Sequence, residues 1–411
     1  MRPGVRVNAG ARAHPEPVDR FPPGTGSGLS EGIVPALERA REWAGEGLRA
    51  LIVSGSHARG EAVWAELDGR RVSLSDLDLY AVMRDDATCA AARARADASA
   101  GGADPAMQTL AGALEVAFVT RDGLARMAAR PGTVALARSG RVVVGDPSVL
   151  TSLPRWEPAE VSGEERLLLL ENRAFELLWA FTAPAGERGV LLARHAVLKT
   201  ALDLAAARTL TRGELPPSAA ECVARARELG PPAAPPSWLE HAWTGLEPLW
   251  RSALACRGGA LLLPVPAAEA AADWRTAARA WCATWWAESD QPWTERDPWA
   301  RALGVSARGS LPRRLRRSLA FRARTGATPG LALRLRHAPA GTPQHRIHGC
   351  ATVLVLAAAH APGEPRLPGG ALHALGRLGV TRASAFDEAA TDALRAWDRQ
   401  LHDGQRTADA S

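Results

Sequence analysis

Apolar residues first recur at helical spacing in "SEGIVPALERAREWAGEG". There Ile33, Leu37, Ala40 and Trp43 share one face, Ser30 is placed to cap the helix and Gly45 or Gly47 to end it. The period then shortens. "LRALIVSGS" is a compact apolar run that predicts a buried strand stopping at Gly55-Ser56, and "EAVWAELDGRRVSL" predicts a hairpin about Asp68-Gly69. "LSDLDLYAVM" alternates strictly, which sets Asp76, Asp78 and Tyr80 on one face of a strand and Leu77 and Leu79 on the other.

A small-residue helix over Ala87 to Ala98 and a Gly-rich loop follow. "ALEVAFVT" predicts a further strand with Glu115 as its one charged residue. "GLARMAARPG" and "TVALARSG" read as helices, and "RVVVGDPSVL" as a closing strand and turn. This order predicts an α+β fold, a mixed sheet with flanking helices, over residues 30–155. Past "SLPRWEPAEVSGEE" the pattern turns helical. "GEERLLLLENRAFELLWAFT" and "RGVLLARHAVLKTALDLAAARTLT" are long amphipathic segments. Residues 156–411 are expected to form an all-helical domain, with a break near 260 that would divide it into 156–260 and 261–411. No internal repeat of fixed period occurs.

Composition narrows the classes. With 411 residues and 46% apolar content the chain is long enough for two or three domains. Residues 1–29, rich in Pro, Gly and Arg and without an apolar core, predict a disordered segment rather than a secretory signal. "ATVLVLAAAHA" is too short to span a bilayer, so no membrane association is expected. Five scattered cysteines without a CxxC pair argue against a disulfide framework or a zinc ribbon, and a reducing cytoplasm fits. The net charge of +6 comes from a chain heavy in Ala, Arg, Gly and Pro, the mark of coding bias, so it is a weak argument for nucleic-acid binding. Lys199 is the single lysine.

Two carboxylates at i and i+2 on a strand project together and repel unless a cation stands between them, and magnesium favours such a pair with phosphate oxygens. Taken alone, Asp76 and Asp78 equally fit an exposed strand start, and Gly55-Ser56 an ordinary turn. The combination is unusual: a glycine after a buried strand lets backbone approach a phosphate. "GSHARGE", "SDLDLYAV" and "LEVAFV" together resemble the polymerase-β-like nucleotidyltransferase superfamily over roughly residues 32–150. The resemblance implies Mg²⁺ (or Mn²⁺) held by Asp76, Asp78 and Glu115, and an NTP, ATP first, gripped through Gly55, Ser56 and Arg59. It further implies transfer of NMP to a hydroxyl of a small molecule with release of pyrophosphate. The hairpin inserted between Val63 and Leu74, and a Glu as third carboxylate, depart from the minimal members; Asp122 is a second candidate for that third role. Alternatives within the same fold are transfer to a protein or RNA hydroxyl, and nucleotide or partner binding without turnover.

Lys199 has two readings. Members of the superfamily often use a helical lysine after the catalytic domain to contact the nucleotide's phosphates; equally, Lys199 and Asp203 are spaced as an ordinary i,i+4 ion pair. His57 is expected to be a solvated turn residue. His345, His348 and Cys350 have ligand chemistry but no fourth partner at a familiar spacing. "RRLRRSLAFRAR" is expected to be a solvated helix face, with Arg313, Arg314, Arg316 and Arg317 the candidate wall of a basic groove. The tryptophans of "WCATWWAESDQPW" are expected in the helical core.

Overall fold

The computed structural model describes residues 31–99, 110–182, 186–232, 237–239, 241–289, 297–308, 310–312, 343–361, 366–378 and 385–405. The N-terminal segment 1–29 and the run carrying Arg313, Arg314, Arg316 and Arg317 lie outside them.

Helix α1 (Val34–Ala44) buries Ala36, Leu37, Ala40 and Ala44 and stops at Gly45, whose φ of 62° suits glycine. Strands β1 (Leu48–Val53), β4 (Leu77–Met83), β5 (Leu114–Thr120) and β6 (Arg141–Gly145) form one sheet in the order β5-β4-β1-β6. β4 and β5 are parallel, and β1 is antiparallel to both β4 and β6, so the sheet is mixed. The alternation read in the sequence divides its faces. Leu51, Val53, Leu77, Leu79 and Met83 pack under α1 and α3 (Asp86–Ser99), while Ala50, Ile52 and Val82 pack with Leu124, Leu136 and Val149 on the other side.

Strands β2 (Trp64–Leu67) and β3 (Arg70–Ser73) form the expected hairpin. Asp68 and Gly69 take φ values of 52° and 68°, the paired positive values that a two-residue hairpin turn requires. The hairpin does not hang free. Val63, Ala65, Val72 and Leu74 belong to the helical core, and Leu262 N donates to the Trp64 carbonyl at 2.7 Å.

That helical core is built by α6 (Gly163–Phe181), α7 (Glu187–Leu210), α8 (Ala219–Leu229), α9 (Leu246–Arg257), α10 (Ala267–Glu288) and a helix over Pro343–His360. Trp281 and Trp285 are completely buried and stack at 6.1 Å. A buried indole usually finds an acceptor, and among these tryptophans Trp285 Nε1 is buried without one. Trp281 donates to the Leu170 carbonyl at 2.7 Å, Trp274 to Leu177 at 2.7 Å and Trp250 to Ala201 at 2.8 Å. Truncating Trp281 would open a cavity worth about 3–5 kcal/mol. Among the described residues no helix is long and apolar enough to cross a membrane.

Candidate functional site

Gly55 opens α2 (Gly55–Arg59) directly after β1, with φ at 65°. A Cβ at this position would lie 2.5 Å from Asp78 Oδ2, so both the backbone angle and the contact demand glycine. Ser54 N donates to the Asp78 carbonyl at 2.9 Å and fixes the turn against β4. Ser56 stands half-buried in the first turn of α2.

β4 and β5 bring the three carboxylates to one end of the sheet. Asp78 is the register partner of Glu115, and Asp76 Oδ1 accepts from Ala113 N at 3.2 Å just ahead of β5. Lys199, on α7 in the helical half, donates to Asp76 Oδ2 at 2.7 Å and to Glu176 Oε1 at 3.2 Å. The i,i+4 pair with Asp203 does not form: Arg173 takes Asp203 Oδ2 at 3.1 Å and also pairs with Glu176. Arg173 lies on α6, nearer Asp203 than a lysine that has been drawn across to β4.

The electrostatics are uneven. Burial would raise Asp76, yet the charge and hydrogen bond of Lys199 hold its carboxyl well below the usual range. Burial and Arg173 oppose charge on Lys199, but Glu176 and Asp76 more than compensate and hold it above the usual lysine range. Asp78 is raised by burial and by Asp76 beside it. Glu115 still reaches solvent, but loss of water around its carboxylate and the charges of Asp78 and Asp76 push it up to about 7. Two acids are therefore short of countercharge while the third has a full partner.

Hard oxygen donors of this kind suit Mg²⁺ or Mn²⁺. Among the described residues, however, no group of three His, Cys, Asp or Glu side chains is assembled as a chelate. Lys199 is the competitor, since its ammonium engages Asp76. The donor set fits the ion in chemistry, with Asp78 and Glu115 as its uncommitted members. Asp122 is exposed in the first turn of α4 (Arg121–Ala125) and is not among the leading charges acting on the three acids.

Around this centre other expectations change. His57 is buried rather than solvated: its Nε2 lies 3.1 Å from Ser73 Oγ and 3.5 Å from the Ser75 carbonyl. The inserted hairpin folds over it, and burial lowers its pKa to about 4. Val63 N donates to Ser75 Oγ at 3.0 Å, which ties the hairpin to the approach of β4. Arg59 Nε donates to Glu61 Oε2 at 2.8 Å, and Glu61 Oε1 accepts from Ala219 N at 2.9 Å, so Arg59 anchors α2 to the start of α8. His348 Nδ1 lies 3.4 Å from Glu171 Oε2 and His345 Nε2 lies 3.8 Å from Glu164.

The residues missed in the sequence are Arg173, Glu176 and Arg257. The first two carried a signal, charges inside the apolar helix "LLLLENRAFELL". Comparison of the chain with protein families, curated proteins and solved structures finds no match.

Proposed function

We propose that the chain is a metal-dependent nucleotidyltransferase of the polymerase-β-like kind, with the mixed sheet as its catalytic half. It would transfer NMP from an NTP, ATP first, to a hydroxyl of a small molecule. The observation that carries the reading is the meeting of Gly55, Asp76, Asp78, Glu115 and Lys199, drawn from four separate segments, at one end of the sheet.

Each residue has a role its surroundings support. Gly55 and Ser56 offer the triphosphate a surface without a side chain at position 55. Lys199 exchanges Asp76 for a phosphate oxygen, as a compact ammonium on a flexible stem can do. Asp76, Asp78 and Glu115 would hold Mg²⁺, which when bound neutralises phosphate charge. Glu115, exposed beside Asp78, takes the proton of the acceptor hydroxyl. The hydroxyl oxygen then bonds to the α-phosphorus, the bond from that phosphorus to the bridging oxygen breaks, and pyrophosphate leaves.

The test is binding of ATP, GTP, CTP and UTP with Mg²⁺, and pyrophosphate release over an acceptor panel, for the wild type and for Asp76→Ala/Asp78→Ala. The expected result is nucleotide binding and turnover that both vanish in the double variant. Binding indifferent to the aspartates would overturn the metal assignment. Aspartate-dependent binding without turnover on any acceptor would favour the non-catalytic reading, which the Lys199 bond to Asp76 also suits.

A further inference from the structure

Arg257, at the end of α9, is a part-buried guanidinium that pairs with no carboxylate among the described residues. Its Nη1 donates to the Glu61 carbonyl at 2.9 Å, and its Nε is buried without a hydrogen-bond partner. The Glu61 carboxylate is already committed to Arg59 and to Ala219 N. Burial, together with the repulsion of Arg59, outweighs the attraction of Glu61 and lowers the proton affinity of Arg257. A buried polar group left in this state is costly unless a ligand completes it.

Arg257 lines a cleft of about 150 Å³ between α2, α5 (Pro131–Ser139), α7 and α8. Arg59 and Arg138 line the same cleft, alongside apolar Leu202 and Leu215, and no carboxylate does. Arg138 Nη1 donates to the Leu215 carbonyl at 2.7 Å. Among the described residues its one ion pair is a 3.9 Å approach to Glu157, whose side chain is 79% exposed, too screened to neutralise it. Cys222, also in the wall, is pushed up to about 12 by burial and stays a neutral thiol. Of the three guanidinium groups at this small, partly apolar space, Arg59 has Glu61 as its countercharge, whereas Arg257 and Arg138 have no close, buried carboxylate. Guanidinium forks match the oxygens of phosphate and carboxylate.

We propose that this cleft is an oxyanion subsite, which takes the phosphate or carboxylate of the acceptor while its compact apolar body lies against Leu202 and Leu215. The proposal rests on the nucleotidyl-transfer reading and narrows it, because such a cleft repels cationic acceptors. Arg59 links the two places: it stands one helical turn after Gly55, and its charge acts on Asp78.

The oxyanion could instead be one of the nucleotide's own phosphates, and the test separates the two sources. Inorganic phosphate is titrated calorimetrically into the full chain, with and without saturating ATP and Mg²⁺, for the wild type, Arg257→Gln, Arg138→Gln and Asp76→Ala/Asp78→Ala. Expected is phosphate binding that persists beside ATP, weakens about tenfold in each arginine variant and is unchanged in the aspartate variant. Displacement of phosphate by ATP would assign the cleft to the nucleotide and overturn the acceptor role. Absent binding, or equal binding in wild type and Arg138→Gln, would overturn the subsite itself; Arg138 is partly exposed, so that variant reports even if Arg257→Gln does not fold. ATP binding indifferent to the aspartates, beside phosphate binding that needs the arginines, would remove the transferase reading and leave the anion site standing.

Discussion

Two clusters of charge, one in each half of the molecule, are resolved in opposite ways. In the helical half Glu171 is 1% exposed and accepts from both terminal nitrogens of Arg308, at 2.6 and 2.7 Å, with His348 at 3.4 Å. Burial works against its charge, but the bonds to Arg308 win and hold Glu171 down at about 2. At the end of the sheet the same ingredients leave Asp78 and Glu115 raised, because Lys199 serves Asp76 and Glu176 instead. The first cluster pairs its carboxylate with a two-pronged guanidinium, leaving only Arg308 Nε and His348 Nδ1 without hydrogen bonds, and is sufficiently explained as structure. The second retains a conflict that surrounding packing must hold in place, as is common where a ligand is to be received.

The contrast breaks most sharply at Glu171. Glu171→Ala leaves Arg308 and His348 buried without their anion and should cost about 3–5 kcal/mol, read as a lower urea midpoint. A loss below about 1 kcal/mol would show that the helical cluster is not the satisfied one. Asp78→Asn should do the reverse. Removing one of two repelling acids should leave stability equal or higher, while pyrophosphate release falls by about 10²–10³-fold. Stability that dropped as it does for Glu171→Ala would mean Asp78 is held by bonds that the geometry does not contain. Lys199→Met should be intermediate: it strands Asp76 without its cation, for about 1–3 kcal/mol by denaturant titration, whereas Lys199→Arg should recover part of that loss.

The asymmetry also explains what could be read from the chain. The Asp68-Gly69 turn, the alternation across Asp76, Asp78 and Tyr80 and the amphipathic periods of α6 and α7 are local, and local rules located them. Partner choice is not local. Lys199 bonds an aspartate 123 positions away, and Arg173, from a neighbouring helix, displaced the near-sequence option at Asp203. His57 looked like a turn residue until the hairpin folded over it, and the hairpin itself became a bridge because its apolar face is completed by helices that follow much later. Arg257 carried no visible signal, since its environment comes from Glu61 and Arg59, nearly two hundred residues earlier.

The smallest effect sharpens the comparison by sign. For Glu171 the folded-state pKa, about 2, lies below the ordinary 4.5, so its contribution is complete above 4.5 and is lost as pH falls toward 2. Glu115 runs the other way. Its folded-state value of about 7 lies above 4.5, so between those limits the folded chain binds more protons than the unfolded one, and stability falls as pH rises. Because Glu115 reaches solvent the slope should be shallow. Thermal midpoints taken at several pH values across that window should decline slightly for the wild type and flatten in Glu115→Gln. Millimolar Mg²⁺ should flatten the wild type as well, since a cation shared by the acids removes the reason for Glu115 to hold its proton. An unchanged slope in Glu115→Gln would place the conflict on Asp78 alone and take from Glu115 its part as proton acceptor.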